Sequence, residues 1–147
     1  MKIVLRPAEL KDKNLLFKWV NNKDSLNIKI KNEEKISFSI HEIWFEERLK
    51  DNNTFIWIIE GDKKIPIGQI RFQYSKEEYF DIDIYIIARY RKLGIATAAL
   101  KNAEKKSNIK PLRAIVKKNN YLSYLFFNNN GYRVVSENKE RWVLVKH

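Results

Sequence analysis

Apolar residues recur along this chain in two rhythms. In the run KNLLFKWV, Leu15, Leu16, Trp19 and Val20 fall at helical spacing, and turn-prone Asn21 and Asn22 end the pattern. Further on, Ile82, Ile84 and Ile86 alternate with Asp81, Asp83 and Tyr85, the period-two pattern of a strand with one apolar face. The same two rules assign the other elements. KIVLR is a short strand that Pro7 stops, TFIWIIE a buried strand, GDKK a turn and IPIGQIRFQY the return strand. Ser39 and Glu42 form a capping box, with Ile43, Trp44 and Leu49 as the apolar face of the helix that follows. A helix starts at Gly94 and runs to about Lys106, then comes the strand LRAIVK and the helix YLSYLFFNN. YRVV and RWVLVK close the chain as a hairpin around SENKE, while SLNIKIKNEEKI follows neither rhythm and is read as irregular. A meander joined to strand-helix-strand units predicts an α/β (mixed α+β) domain, a mixed sheet of about seven strands with helices on both faces. Neither repeats nor a linker divides it, so residues 1–147 are read as one domain.

Composition narrows the chemistry. With 44% hydrophobic and 32% charged residues, the chain reads as globular. Cysteine is absent, which removes disulfides, thiolate metal sites and a cysteine nucleophile together. Two histidines, His41 and His147, are too few for a clustered metal site, so no metal is expected. A G-x-S-x-G elbow is also missing. No apolar stretch approaches the roughly 20 residues of a membrane span. Arg6 comes too early for a signal peptide, which gives a cytoplasmic reading without membrane contact. The net charge of +11 comes mostly from lysines scattered among isoleucine and asparagine. They form no basic amphipathic stripe, so the charge is read as suiting an anionic small ligand such as a phosphorylated cofactor, not nucleic acid.

The stretch RYRKLGIATAAL, from Arg89 to Leu100, then becomes informative. It leads from a strand into a helix, whose first amides lack intrahelical partners and whose dipole favours an anion. Gly94 removes a Cβ at the point of approach, small residues follow, and Arg91 and Lys92 add charge at the mouth. Pyrophosphate binding follows from those features. A second pattern comes after the next strand: Asn120, then Ser123, then an aromatic helix and Gly131-Tyr132. Together the two resemble the GNAT superfamily of acyl-CoA N-acyltransferases. Its first motif, R/Q-x-x-G-x-G/A, is matched by RKLGIA from Arg91 to Ala96, and its second, N-x-x-A/S with G-F/Y, by the residues just named.

That resemblance implies a single-domain GNAT fold, with acetyl-CoA lying between two splayed central parallel strands, DIDIYII and LRAIVK. It implies that the amides of Leu93, Gly94, Ile95 and Ala96 hold the pyrophosphate, and that the backbone of Ile86 and Ile87 pairs with the pantetheine arm. Asn120 and Ser123 belong to the site by the motif, Asn120 contacting the arm and Phe126 or Phe127 packing beside it. The implied activity is direct transfer of acetyl to a primary amine, which requires a proton acceptor. Glu78, thirteen residues before Arg91, matches a catalytic glutamate of several members, with Asp81 and Asp83 as competitors. Many members place a tyrosine acid where this chain has Phe127, so Tyr124 or Tyr121 substitutes or no acid is used.

LRPAELKDKNLLFKWVNN resembles the opening of ribosomal-protein and nucleotide-sugar N-acetyltransferases, and ISFSIHEIWFEERL resembles a segment of the sugar enzymes. His41, Trp44 and Asp83 are therefore expected at the acceptor. The amino group of a nucleotide-linked sugar leads as acceptor. A protein N-terminus is the alternative, and a non-catalytic CoA-binding regulator is the reading from another class. A homodimer is the implied assembly.

Overall fold

The structure, a computed structural model, describes residues 1–22 and 35–147, so most of SLNIKIKNEEKI lies outside the described residues. Seven strands form one sheet in the order β1-β2-β3-β4-β5-β7-β6. They are β1 (Val4–Pro7), β2 (Thr54–Glu60), β3 (Pro66–Tyr74), β4 (Phe80–Ile86), β5 (Leu112–Lys117), β6 (Arg133–Glu137) and β7 (Arg141–Lys146). Among the described residues four α-helices cover them: α1 (Lys13–Val20), α2 (Phe38–Lys50), α3 (Ile95–Ser107) and α4 (Tyr121–Asn129). The order and the mixed sheet are those the hydrophobic pattern predicts.

Alternation along β4 decides which face each helix covers. Its register against β3 pairs Arg71 with Asp83, Ile70 with Ile84 and Gln69 with Tyr85. The isoleucine side joins a core with Trp57, Ile70, Phe72, Leu100 and Phe127, so α3 and α4 lie on that face. On the other face Leu16, Trp19 and Phe45 from α1 and α2 pack on Ile56, Ile58 and Tyr85. Phe45 and Ile58 are fully buried, and burial of one such side chain stabilises by about 1.5–3 kcal/mol.

The start of α2 departs from the sequence reading. Ser37, not Ser39, caps it, its Oγ accepting from the Ile40 amide at 3.3 Å. Extended backbone at Ser37 lets the helix begin two residues sooner. Glu42 pairs with Lys13 of α1 at 2.6 Å instead of closing a capping box. The buried face shifts with it. Ile43 is 59% exposed, and His41 and Phe45 are the residues that point inward.

β4 and β5 run parallel, but their pairing is confined to Phe80 with Leu112 and Asp81 with Arg113. Arg113 clamps that last rung, donating from Nη2 to Asp81 at 2.9 Å and also from Nε. Beyond it β5 continues in register with β7 as far as Lys117 and Arg141, and β4 continues with β3. The sheet therefore opens into a fork at its centre.

Candidate active site

Ladder geometry determines what the fork exposes. The Ile87 amide donates to the Ile67 carbonyl at 2.9 Å, and antiparallel bonding alternates from there. The main-chain groups of Tyr85, Asp83 and Asp81 are thus directed at β3, and those of Ile82, Ile84 and Ile86 at β5. Since β5 pairing ends at Asp81, the groups of Ile84 and Ile86 face an open cleft of about 780 Å³. Ile86 faces the cleft through its amide, since its carbonyl accepts from Arg91 Nε at 2.7 Å. Ile87 does not. Its amide is committed to Ile67 and its carbonyl accepts from the Tyr90 amide, so it offers no edge to an extended ligand.

One end of the cleft is the start of α3. Gly94 is the N-cap with φ of 78°, and no side chain caps the helix. The Ala98 amide bonds to the Gly94 carbonyl, so the preceding amides of Ile95, Ala96 and Thr97 have no partner within the helix. A Cβ at Gly94 would meet no protein atom within 4 Å, so within the protein itself the glycine is required by its left-handed backbone. Ala96 and Arg91 line the cleft, and the Arg91 guanidinium lies 5.4 Å from the centre of the Tyr85 ring. Lys92 and Leu93 are exposed and contribute no lining side chain.

The second motif forms the opposite wall. Asn120 is the N-cap of α4, its Oδ1 accepting from the Ser123 amide at 3.2 Å. The Asn-x-x-Ser spacing is thus first a helix cap, and both residues also line the cleft with Phe126 and Phe127. Tyr124 turns elsewhere. Its ring lies 4.5 Å from Trp142 and 5.6 Å from Tyr121, and it lines neither cavity described here. A general acid at Tyr124 or Tyr121 is not supported by this packing.

A second cavity, of about 410 Å³, lies between α1, α2 and the polar face of β3 and β4. His41, Trp44 and Asp83, expected at the acceptor, all line it. His41 is 4% exposed, with its ring stacked 5.9 Å from Phe45 and Nε2 3.2 Å from the Lys13 carbonyl. Trp44, Arg71 and Asp83 line this cavity and the cleft alike, so the two meet there. At the junction Asp83 accepts from Gln69 Nε2 at 2.8 Å, and Arg71 lies over the Trp44 ring at 4.8 Å.

The three candidate carboxylates separate cleanly. Glu78 sits in the β3–β4 turn with φ of 67°, exposed and lining neither cavity, which corrects its expected place as the base. Its amide donates to Ser75, so the turn fixes the main chain and leaves the carboxylate in solvent. Asp81 lines the cleft but is bound through both oxygens by Arg113. Those hydrogen bonds raise the arginine's pKa against the opposing effect of burial. Asp83 is the carboxylate at the junction.

Sequence reasoning missed Gln69, Arg71 and Arg113. The first two stand at alternate positions of β3 and could have been found by pairing them with Asp83 and Tyr85 across the hairpin.

Among the described residues no group of three or more His, Asp or Glu could hold a metal ion, and no helix is long and apolar enough to cross a membrane. The cleft suits an acyl-CoA: unpaired strand edge for the amides of the arm, uncapped helix start and Arg91 for the diphosphate, phenylalanines for its apolar length. Residues 2–133 match the family model for the acetyltransferase (GNAT) domain. No curated protein matches the chain in sequence. Among solved structures, a domain from Methanocaldococcus jannaschii superposes with a TM-score of 0.81 at 20% identity, over 99% of this chain and 97% of that one. An acetyltransferase from Thermus thermophilus gives 0.81 at 16% identity, over 99% and 97%. The spermidine N-acetyltransferase of Vibrio cholerae, in complex with CoA and spermine, gives 0.79 at 17% identity, over 97% and 92%. At these identities the likeness establishes the fold.

Proposed function

The chain belongs to the GNAT acetyltransferase family, and from that premise we propose that it acetylates the primary amine of a small molecule held in the cavity beneath α1 and α2. The observation that carries this reading is the shared wall of Trp44, Arg71 and Asp83, where the acceptor cavity opens into the cleft. Acetyl-CoA, held by Ile84 and Ile86 main chain, Arg91 and the amides from Gly94 to Ala96, gives its acetyl group to the amine as the C–S bond breaks, and CoA leaves as the thiol.

The protein's own residues handle the amine and its proton. Asp83 Oδ2 is held by Gln69, which fixes the carboxylate at the junction. The carboxylate orients an incoming ammonium and receives its proton directly or through one water. Trp19, Trp44 and Tyr85 give the cavity aromatic walls, favourable to a cation and to the flat face of a sugar. A thiol of ordinary pKa, about 8.5, leaves readily near neutral pH. That suits a cleft whose second motif brings Phe127 and no tyrosine hydroxyl.

A nucleotide-linked amino sugar fits this class of acceptor, its ring on the aromatic walls and its diphosphate toward Arg71 and Lys35, which also line the cavity. The test is thiol release from acetyl-CoA with amino-sugar nucleotides, amino acids, N-terminal peptides and polyamines, repeated with Asp83→Asn. The variant should lose most of its rate at neutral pH and regain part of it at high pH, where the amine deprotonates unaided. An unchanged neutral rate would remove Asp83 from the mechanism.

A further inference from the structure

Resting on that reading, we infer that the acceptor is an amine carrying an oxyanion, a carboxylate or a phosphate, close to its amino group, and that Arg71 binds the oxyanion. The charges around the cavity set the class. Among the described residues that line it, Asp83 is the one carboxylate, whereas Arg71 and Lys35 are cations. A polyamine needs a negative partner for each ammonium, and this lining offers one. An amine with its own negative charge matches both signs.

The state of Arg71 makes the assignment specific. Its guanidinium is stacked on Trp44, and Nη1 lies 3.9 Å from Asp83 Oδ2, an ion pair beyond hydrogen-bond reach. Nε is buried with no hydrogen-bond partner. The side chain is therefore fixed in place by stacking and charge, not by acceptors. Guanidinium carries five donors in a planar fork that matches carboxylate and phosphate oxygens. A half-buried arginine held without acceptors, at the wall shared by both cavities, is a site for such a group.

Asp83 is complementary. Gln69 and Arg71 both approach Oδ2, so Oδ1 has no partner among the described residues. A ligand with amine and oxyanion on neighbouring carbons brings its charges as close together as Asp83 and Arg71 are. Its ammonium meets Oδ1 and its oxyanion meets the guanidinium. Carboxylate and phosphate sources share this chemistry, and matched pairs of probes distinguish them.

The experiment compares phosphoethanolamine with ethanolamine, and an α-amino acid with its amide, by thiol release and by calorimetric titration into the acetyl-CoA-loaded protein. At least one oxyanion-bearing member should exceed its uncharged partner tenfold or more in kcat/KM or affinity, and the pair that does so identifies the source. Arg71→Met should abolish that preference through the acceptor KM, leaving the acetyl-CoA Kd within twofold, and Arg71→Lys should restore part of it. Equal response within both pairs, spermidine outperforming every oxyanion amine, or a preference that survives Arg71→Met would overturn the inference and leave the acetyltransferase reading intact. If acetyl-CoA binds and no amine releases thiol, the acetyltransferase reading fails. The titrations still decide the role of Arg71, since equal or absent heats refute it.

Discussion

The two cavities that meet at Asp83 are built from different materials. The cleft between β4 and β5 is largely main chain: strand edges of Ile84 and Ile86, and helix amides after Gly94. The cavity beneath α1 and α2 is almost wholly side chain, with Trp19, His41, Trp44, Arg71, Asp83 and Tyr85 drawn from four elements. Main-chain recognition needs a strand separation and one left-handed residue, so it survives wide changes in side chains. Side-chain recognition changes with each substitution. The first suits a ligand common to many proteins of one fold, and the second suits a ligand that differs among them.

Substitutions on the two sides should therefore fail differently. The largest effect is expected for Asp83→Ala, which should lower kcat by about 10²–10⁴-fold, the usual worth of a positioned proton acceptor. Calorimetry should find acetyl-CoA affinity unchanged, and a parallel loss of affinity would erase the division between the two sides. Gly94→Val places a β-branched residue at φ of 78°, a strain of about 1–3 kcal/mol. At 1.4 kcal/mol per decade, acetyl-CoA should bind roughly 5–100-fold more weakly, while the KM of the amine stays constant.

Asp12→Asn probes the acceptor side from its foundation. Asp12 is buried at the start of α1, bound by Arg6 at 2.8 Å through both oxygens and by the Glu9 amide. Removing its charge should destabilise the protein by about 3 kcal/mol, as for other buried pairs broken on one side. Chemical denaturation would measure it, and the amine KM should rise before acetyl-CoA binding weakens. Burial pushes the Asp12 carboxyl up, but the Arg6 and Glu9 hydrogen bonds outweigh it and hold the pKa below the usual carboxylate value. A depressed carboxylate contributes stability fully above the unfolded value of about 3.9 and loses it as pH falls toward the folded value. The acid limb of the stability profile should flatten in Asp12→Asn. The smallest effect is expected for Glu78→Gln, whose exposed turn position should leave kcat/KM within twofold. A large loss there would return the base to the β3–β4 turn.

The main-chain side was the more legible in sequence. A glycine before small residues marks a helix start, and Asn120 with Ser123 marks another, because caps and left-handed turns are local. Glu78 was misplaced by counting residues from Arg91, which cannot tell a strand position from the turn that precedes it. Ser37 lost to Ser39 in the reading because capping-box spacing favoured Glu42, whose actual partner, Lys13, is 29 residues away. The acceptor cavity was harder. Gln69 and Arg71 alternate with Ile70 and Phe72 like any solvent face, and only packing of α1 and α2 turns that face inward. His41 and Trp44 came from resemblance, since no periodic rule distinguishes a helix side chain that lines a cavity from one that fills a core.

The rung made by Asp81 and Arg113 acts as a ruler. From Asp81 to Ile86 the open edge of β4 spans five residues, about 16 Å at strand rise. An arm entering beside Gly94 has that length before the strands close. In the proposed arrangement acetyl lies beside Asp83 with space ahead of it, and each added methylene would advance toward a rung clamped by a bidentate arginine. The proposed arrangement thus predicts that the site of strand closure limits the acyl tail, and loosening Arg113 should lengthen the longest one accepted.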